Sequence, residues 1–129
     1  MLLKLDFALD TPIYMQIRNQ IVLGIANGDL KPGEKLPPIR TLASETGINT
    51  MTVNKAYQLL KQEGYLITDR RCGAMINPNR LAENHPPVQE HPKLRLLLSE
   101  LYTDGISKEE LLNACEAIYD ELKADNSIK

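Results

Sequence analysis

The residues able to make specific polar contacts crowd into one stretch, Pro37 to Gly73, and their types suit recognition. Between Asn49 and Glu63 the apolar residues Val53, Ala56, Tyr57 and Leu60 recur at helical spacing, which turns Thr50, Met51, Asn54, Lys55 and Gln58 outward. Such a short, polar, singly basic face can enter the major groove of a duplex. There Asn pairs with adenine, Thr and Met touch a thymine methyl, and Lys reaches guanine or phosphate. Asn49 and Thr52 are expected to position the helix, and Thr50, Asn54 and Lys55 to discriminate bases. A polar outer face alone is the ordinary solvated side of a helix. A basic turn just beyond the helix gives it direction: Arg70 and Arg71 lie side by side there, where they can reach phosphates or the minor groove.

Catalytic chemistry is missing from the pattern. The chain shows no nucleophile with an adjacent base, no phosphate loop and no paired carboxylates in an apolar setting. Cys72 and Cys115 have neither metal-type spacing nor the density of a disulfide framework, so both read as free thiols. The arginines beside Cys72 favour its thiolate and make it a candidate redox sensor, whereas Cys115 reads as a buried helix residue. His85 and His91 lie in a proline-rich stretch without converging ligands and read as solvated. No enzyme activity, metal or cofactor is expected.

Several elements must hold the polar face in place. Gly47 in Thr46-Gly47-Ile48 supplies the positive φ that stops one short helix, and Asn49 caps the next, so the two meet at an angle. Tyr65 to Thr68 and Ala74 to Ile76 are strand-like and bracket the Arg70-Arg71 turn as a basic hairpin, a wing. Upstream, Leu2 to Leu9 reads as an arm. Thr11 is expected to cap a support helix with Pro12 at its first position, carrying Ile13, Ile17, Ile21 and Ile25 until Asn27-Gly28 ends it. Lys35-Leu36, inside a Pro- and Gly-rich connection, can add a short third strand to the wing. Leu36, Ile39, Leu42 and Ala43 are expected to close the core against Val53, Leu60 and the support helix.

The combination of Pro12-Ile13-Tyr14-Met15-Gln16-Ile17, Gly28-Asp29-Leu30-Lys31-Pro32-Gly33-Glu34-Lys35-Leu36-Pro37, Arg40, Leu42-Ala43, Gly47, Thr52-Val53, Ala56-Tyr57, Leu60 and Glu63-Gly64 resembles the GntR family of bacterial winged-helix transcription regulators. The match runs over residues 10 to 77, and the brief tail is similar to the small YtrA-like subfamily. The resemblance implies operator binding as a dimer, usually as a repressor. It also implies DNA contacts from Arg40, from the head of the recognition helix, Asn49 to Lys55, and from the wing glycine Gly73. Pro38 stands where the family commonly carries a small polar cap, and Asn49-Thr50-Met51 is less basic than the family's usual serine-arginine head.

Beyond the wing, residues 78–92 carry four prolines and read as a linker with a helical turn around Leu81. Two helices come next, within 93–125. Lys93 to Asp104 carries Leu94, Leu97, Leu98 and Leu101 and stops at Gly105; Ser107 with Glu110 opens a second helix carrying Leu111, Cys115, Ile118 and Leu122. A two-helix hairpin cannot bury both apolar stripes within itself, so they must pack on the winged domain or on a second copy; the second is favoured here, which makes these eight residues the expected dimer interface.

With 129 residues and 43% apolar content, the chain can hold one modest domain and an appendage. Residues 1–80 hold five Lys and five Arg against four Asp and three Glu, a charge of +3, while residues 81–129 carry −5, returning the overall −2. A basic reader joined to an acidic tail suits a protein whose second end avoids DNA. No leader pattern and no apolar run near 18 residues occur, so neither a signal peptide nor a membrane span is expected and the protein is placed in the cytoplasm. The fold class is therefore mainly α with a small β wing: a winged helix-turn-helix over 1–77 and a helical dimerisation hairpin over 93–125. The expected partners are a palindromic DNA operator and a second copy of the chain. Two alternatives stand beside it: a winged-helix module that binds another protein, and the same DNA reader gated by a small-molecule effector or by Cys72 oxidation.

Overall fold

The computed structural model describes residues 3–71, 73–80 and 86–127, with side chains to residue 122. The expectations placed on Cys72, on a helical turn around Leu81 and on His85 lie outside these residues. The chain divides into two compact units, one through Arg80 and one beyond it.

In the first unit, α1 (Ile13–Asn27) and α2 (Ile39–Thr46) pack against α3 (Thr50–Gln62). The hairpin β1 (Leu66–Asp69) and β2 (Gly73–Ile76) comes after them, antiparallel with Leu66 opposite Ile76 and Asp69 opposite Gly73. The buried core draws on every element: Ile17 and Ile21 from α1, Leu42 and Ala43 from α2, Val53, Ala56, Tyr57 and Leu60 from α3, Leu66 and Ile76 from the hairpin. Leu30, Leu36 and Ile48 seal it from the connections, and Ile13, Ile25 and Ile39 pack at its edge.

Helix α1 starts differently from the expectation. Pro12, not Thr11, is the N-cap, and no side chain caps the helix. The Pro12 carbonyl accepts from the Met15 and Gln16 N–H groups, while the Thr11 carbonyl accepts from Gln16 Nε2 at 2.9 Å. Proline reaches this geometry because its fixed φ suits the last residue before a helix. Pro38 likewise sits at the N-cap of α2 and not at a first helical position.

The arm is bound, which its sequence did not indicate. Gln16, the buried polar residue of this core, accepts from the Asp6 N–H at 2.9 Å and donates to the Asp6 carbonyl at 2.8 Å. One turn on, Gln20 pairs in the same two-sided way with the Lys4 peptide. Carboxamides at i and i+4 thus take the place of a neighbouring strand, and Leu3 and Leu5 pack against the core.

The expected third wing strand shrinks to a single bridge between Lys35 and Met75, supported by Leu36 N–H to the Ala74 carbonyl at 2.9 Å. Pro37 and Pro38 come next without N–H groups, so the ladder cannot continue. At the α3–β1 corner the Arg18 guanidinium forks onto the Glu63 carboxylate at 2.9 and 2.8 Å. That hydrogen bond, more than the opposing desolvation, raises the Arg18 pKa above its ordinary value. Arg80 lies 3.7 Å from the centroid of the Tyr65 ring and its Nε donates to the Glu63 carbonyl, so the compact unit continues three residues past the expected boundary at 77.

The described residues of the second unit form a 3-10 turn (Val88–Glu90), α4 (Pro92–Thr103) and α5 (Lys108–Ser127). Helix α4 starts one residue earlier than expected and ends one earlier. His91, read as a solvated linker histidine, caps it by accepting the Lys93 N–H on Nδ1 at 3.2 Å. Ser107 Oγ accepts the Glu110 N–H at 3.1 Å, and α5 runs two residues past the expected limit of 125. Among the described residues no helix is long and apolar enough to cross a membrane.

Tyr57 ties α3 to the start of α2 by donating its hydroxyl to the Pro37 carbonyl at 2.7 Å, and burial pushes its phenol up to about 12. The neutral phenol is therefore held in the folded chain over a pH range where the unfolded chain ionises it. This contribution is fully present below about pH 10 and is lost as pH rises towards about 12. Urea denaturation at pH 9 and pH 11.5 should show the wild type losing about 2 kcal/mol more than Tyr57→Phe over that interval.

Candidate nucleic-acid interface

The angle between α2 and α3 is set at Gly47, whose φ of 73° lets the Ile48 N–H turn back to the Ala43 carbonyl at 3.1 Å. A side chain at that φ is strained, so glycine is the residue for the turn. Two residues on, Asn49 Oδ1 accepts the Met51 N–H at 2.7 Å and the Asn49 carbonyl accepts from Thr52 and Val53. The cap starts α3 abruptly and presents its first turn.

The inner face of α3 is sealed into the core, and Thr50, Met51, Asn54, Lys55 and Gln58 are exposed, Met51 by 79%. Thr52 is half-buried beneath them. Thus, among the described residues, Thr50 and Asn54 stand free on the outward face, one turn apart. Lys55 does not: its Nζ sits 4.1 Å from the centroid of the Tyr14 ring on α1.

Arg40 is exposed in the first turn of α2, and among the described residues it makes no ion pair with Glu45. A cation at the positive end of an uncapped helix is mildly unfavourable, and an anion docked there relieves it. At the wing, Arg70 and Arg71 are exposed and Asp69 Oδ1 accepts the Arg71 N–H at 2.8 Å, an Asx turn that shapes the tip. Gly73 closes the tip with φ 71° and open space where a Cβ would stand, so its need for glycine is conformational.

A cleft of about 230 Å³ joins these parts: Pro38 and Ile39 from the head of α2, Gln58 and Lys61 from the flank of α3, Thr68, Gly73 and Ala74 from the wing. The head of α2, the outer side of α3 and the wing therefore border one surface. Lys61 is a candidate that the sequence reading passed over, although Asn54, Gln58 and Lys61 keep helical spacing. Tyr14 was also missed, because it lies off the isoleucine stripe of α1 and nothing in the spacing links it to Lys55.

In the second unit none of the described residues of α4 is buried. Leu94, Leu98, Leu101, Leu111 and Leu122 are half-buried, while Leu97 is 53% and Ile118 55% exposed. Cys115 is an exposed free thiol, not a buried helix residue as expected.

Comparison with known proteins agrees with this geometry. The family model described as bacterial regulatory proteins, gntR family, matches residues 13–76. The transcriptional repressor YtrA of Bacillus subtilis is 34% identical over 113 residues, covering 85% of this chain and 86% of that protein. Among solved structures, YtrA from Sulfolobus acidocaldarius, a GntR-family transcription factor, is 36% identical with a TM-score of 0.58, covering 94% of this chain and 99% of that one. A transcriptional antiterminator from Listeria monocytogenes EGD-e is 28% identical with a TM-score of 0.75, covering 95% and 92%.

The cap geometry makes Asn49 a stability residue whatever else it touches. Asn49→Ala should lower the unfolding free energy by about 1 kcal/mol in urea, and Asn49→Asp should recover most of it.

Proposed function

Because the chain belongs to the gntR family of bacterial regulatory proteins and is a winged-helix, DNA-binding transcription regulator, we propose that it is a cytoplasmic repressor that binds a palindromic operator as a homodimer. In this reading the first unit, through Arg80, forms the reader, and α4 and α5 beyond the linker form the dimerisation hairpin. The observation that carries it is the exposed outward face of α3, whose flank shares one cleft with the head of α2 and the wing. Thr50 and Asn54 reach base edges, with Met51 against a thymine methyl. Asn49 and Thr52 hold the helix head, and Arg40, Arg70 and Arg71 take phosphates or the minor groove beside it, with Gly73 letting the tip approach.

Support for the dimer comes from the tail. Helices α4 and α5 leave Leu97 and Ile118 largely exposed, with Leu94, Leu98, Leu101, Leu111, Cys115 and Leu122 along the same two helices. Hairpins with so little buried apolar surface are marginal alone, and a second copy supplies the missing cover. A reader this small touches a few base pairs, so specific affinity needs two half-sites in register. The repressor assignment rests on the named activity of the Bacillus subtilis relative.

Selection of bound sequences from a random duplex pool tests the reader. The wild type should return a two-fold symmetric site, and Asn54→Ala should relax the base preference at one position of each half-site; uniform weakening at every position would remove Asn54 from base reading. Arg40→Ala should weaken binding by about 1–3 kcal/mol, or lower the salt slope by about one unit if it holds a phosphate. For the tail, Leu98→Glu with Leu101→Glu should give a folded monomer, by light scattering and circular dichroism, that no longer holds the palindrome. A wild type already monomeric at micromolar concentration, yet bound tightly to its operator, contradicts the dimer.

A further inference from the structure

Lys55 stands apart from the rest of the outward face, and the cause lies on another helix. Its Nζ is 4.1 Å from the centroid of the Tyr14 ring, close enough for a cation–π contact. Tyr14 is half-buried in the first turn of α1 and packs against the core, so the ring is a fixed platform beside α3. Residue 55 also lies roughly 100° around the helix from residue 54. The stripe of Thr50, Asn54, Gln58 and Lys61 points one way, and the Lys55 ammonium is drawn towards α1.

A ring quadrupole holds a cation without neutralising it. Among the described residues Lys55 makes no ion pair, so its charge remains available to an anion. A free lysine loses rotamer freedom when it binds, and this one is already ordered by the ring. We infer that Tyr14 is a positioning residue that fixes Lys55 at the α1 side of the recognition helix, where Lys55 holds a DNA phosphate and does not read a base. This revises the expectation that Lys55 discriminates, and it rests on the DNA-binding reading above. Tyr14 and Lys55 then set the register from which Thr50 and Asn54 read.

The test measures binding of the full chain to its selected operator, and to single-base variants of it, by fluorescence anisotropy across a range of salt. Lys55→Met should weaken all the duplexes equally, by about tenfold near 0.1 M salt, and lower the salt slope by about one unit. Tyr14→Leu, which keeps apolar bulk, should weaken binding by about threefold, and Tyr14→Phe, which keeps the ring face, should restore most of that loss. The double variant should bind no more weakly than Lys55→Met alone, because a ring without its lysine has nothing to position. Additive effects overturn the positioning role of Tyr14, and an altered base preference in Lys55→Met overturns the phosphate contact. Circular dichroism checks that Tyr14→Leu is folded. Should it unfold, Lys55→Met and Tyr14→Phe leave the core intact and still decide: unchanged affinity and slope in Lys55→Met overturn the inference while wild-type binding stands. A wild type without operator binding overturns both this inference and the reading beneath it.

Discussion

The first unit depends on burial of one face of α3. Val53, Ala56, Tyr57 and Leu60 meet α1, α2 and the wing strands at once, so the helix that presents the polar face is also the centre of the core. In a domain this small there is no separate scaffold to carry the reader. The outward residues inherit their rigidity from apolar contacts one side chain away. In the proposed reading, a change on the inner face acts on recognition through folding, and a change on the outer face acts on it directly.

Around that core, polar ties supply order that the few apolar residues cannot. Gln16 and Gln20 bind the arm through its peptides, where a loop crosses a helix and has no neighbouring strand to pair with. Arg18, Glu63, Tyr65 and Arg80 gather at the end of α3 and join α1, the wing and the chain beyond it. Each is a partly exposed contact of modest strength. Together they hold the wing base and α3 in one frame, and the cleft shared by α2, α3 and the wing requires that frame.

The second unit obeys another rule. Its helices are well capped, by His91 and Ser107, yet its apolar stripes are mostly uncovered. Caps and i,i+4 spacing suffice to define helices, whereas burial needs a surface to pack on. Charge divides along the same line, with the basic side chains concentrated before residue 80 and the acidic ones after it. Segregation of this kind disfavours contact between the tail and a phosphate backbone.

Local physics made much of this legible from the residues alone. Helix period, the Gly47 turn, the Asn49 cap, the paired strands around Arg70-Arg71 and the apolar stripes of the tail all depend on neighbours within a few positions, so their residue types carry the information. The misses are of a different sort. Thr11 looked like a cap because threonine often is one, but Gln16 reached back from within the helix; Cys115 looked buried because its spacing matched a stripe, but exposure depends on what lies across from it. The pairing of Lys55 with Tyr14 joins residues 41 positions apart on separate helices. By itself the sequence determined which faces are apolar, where helices begin and end to within about two residues, and which side chains of α3 face outward. Only the tertiary structure decided which outward side chains are free and which are held, because that depends on what packing brings alongside each one.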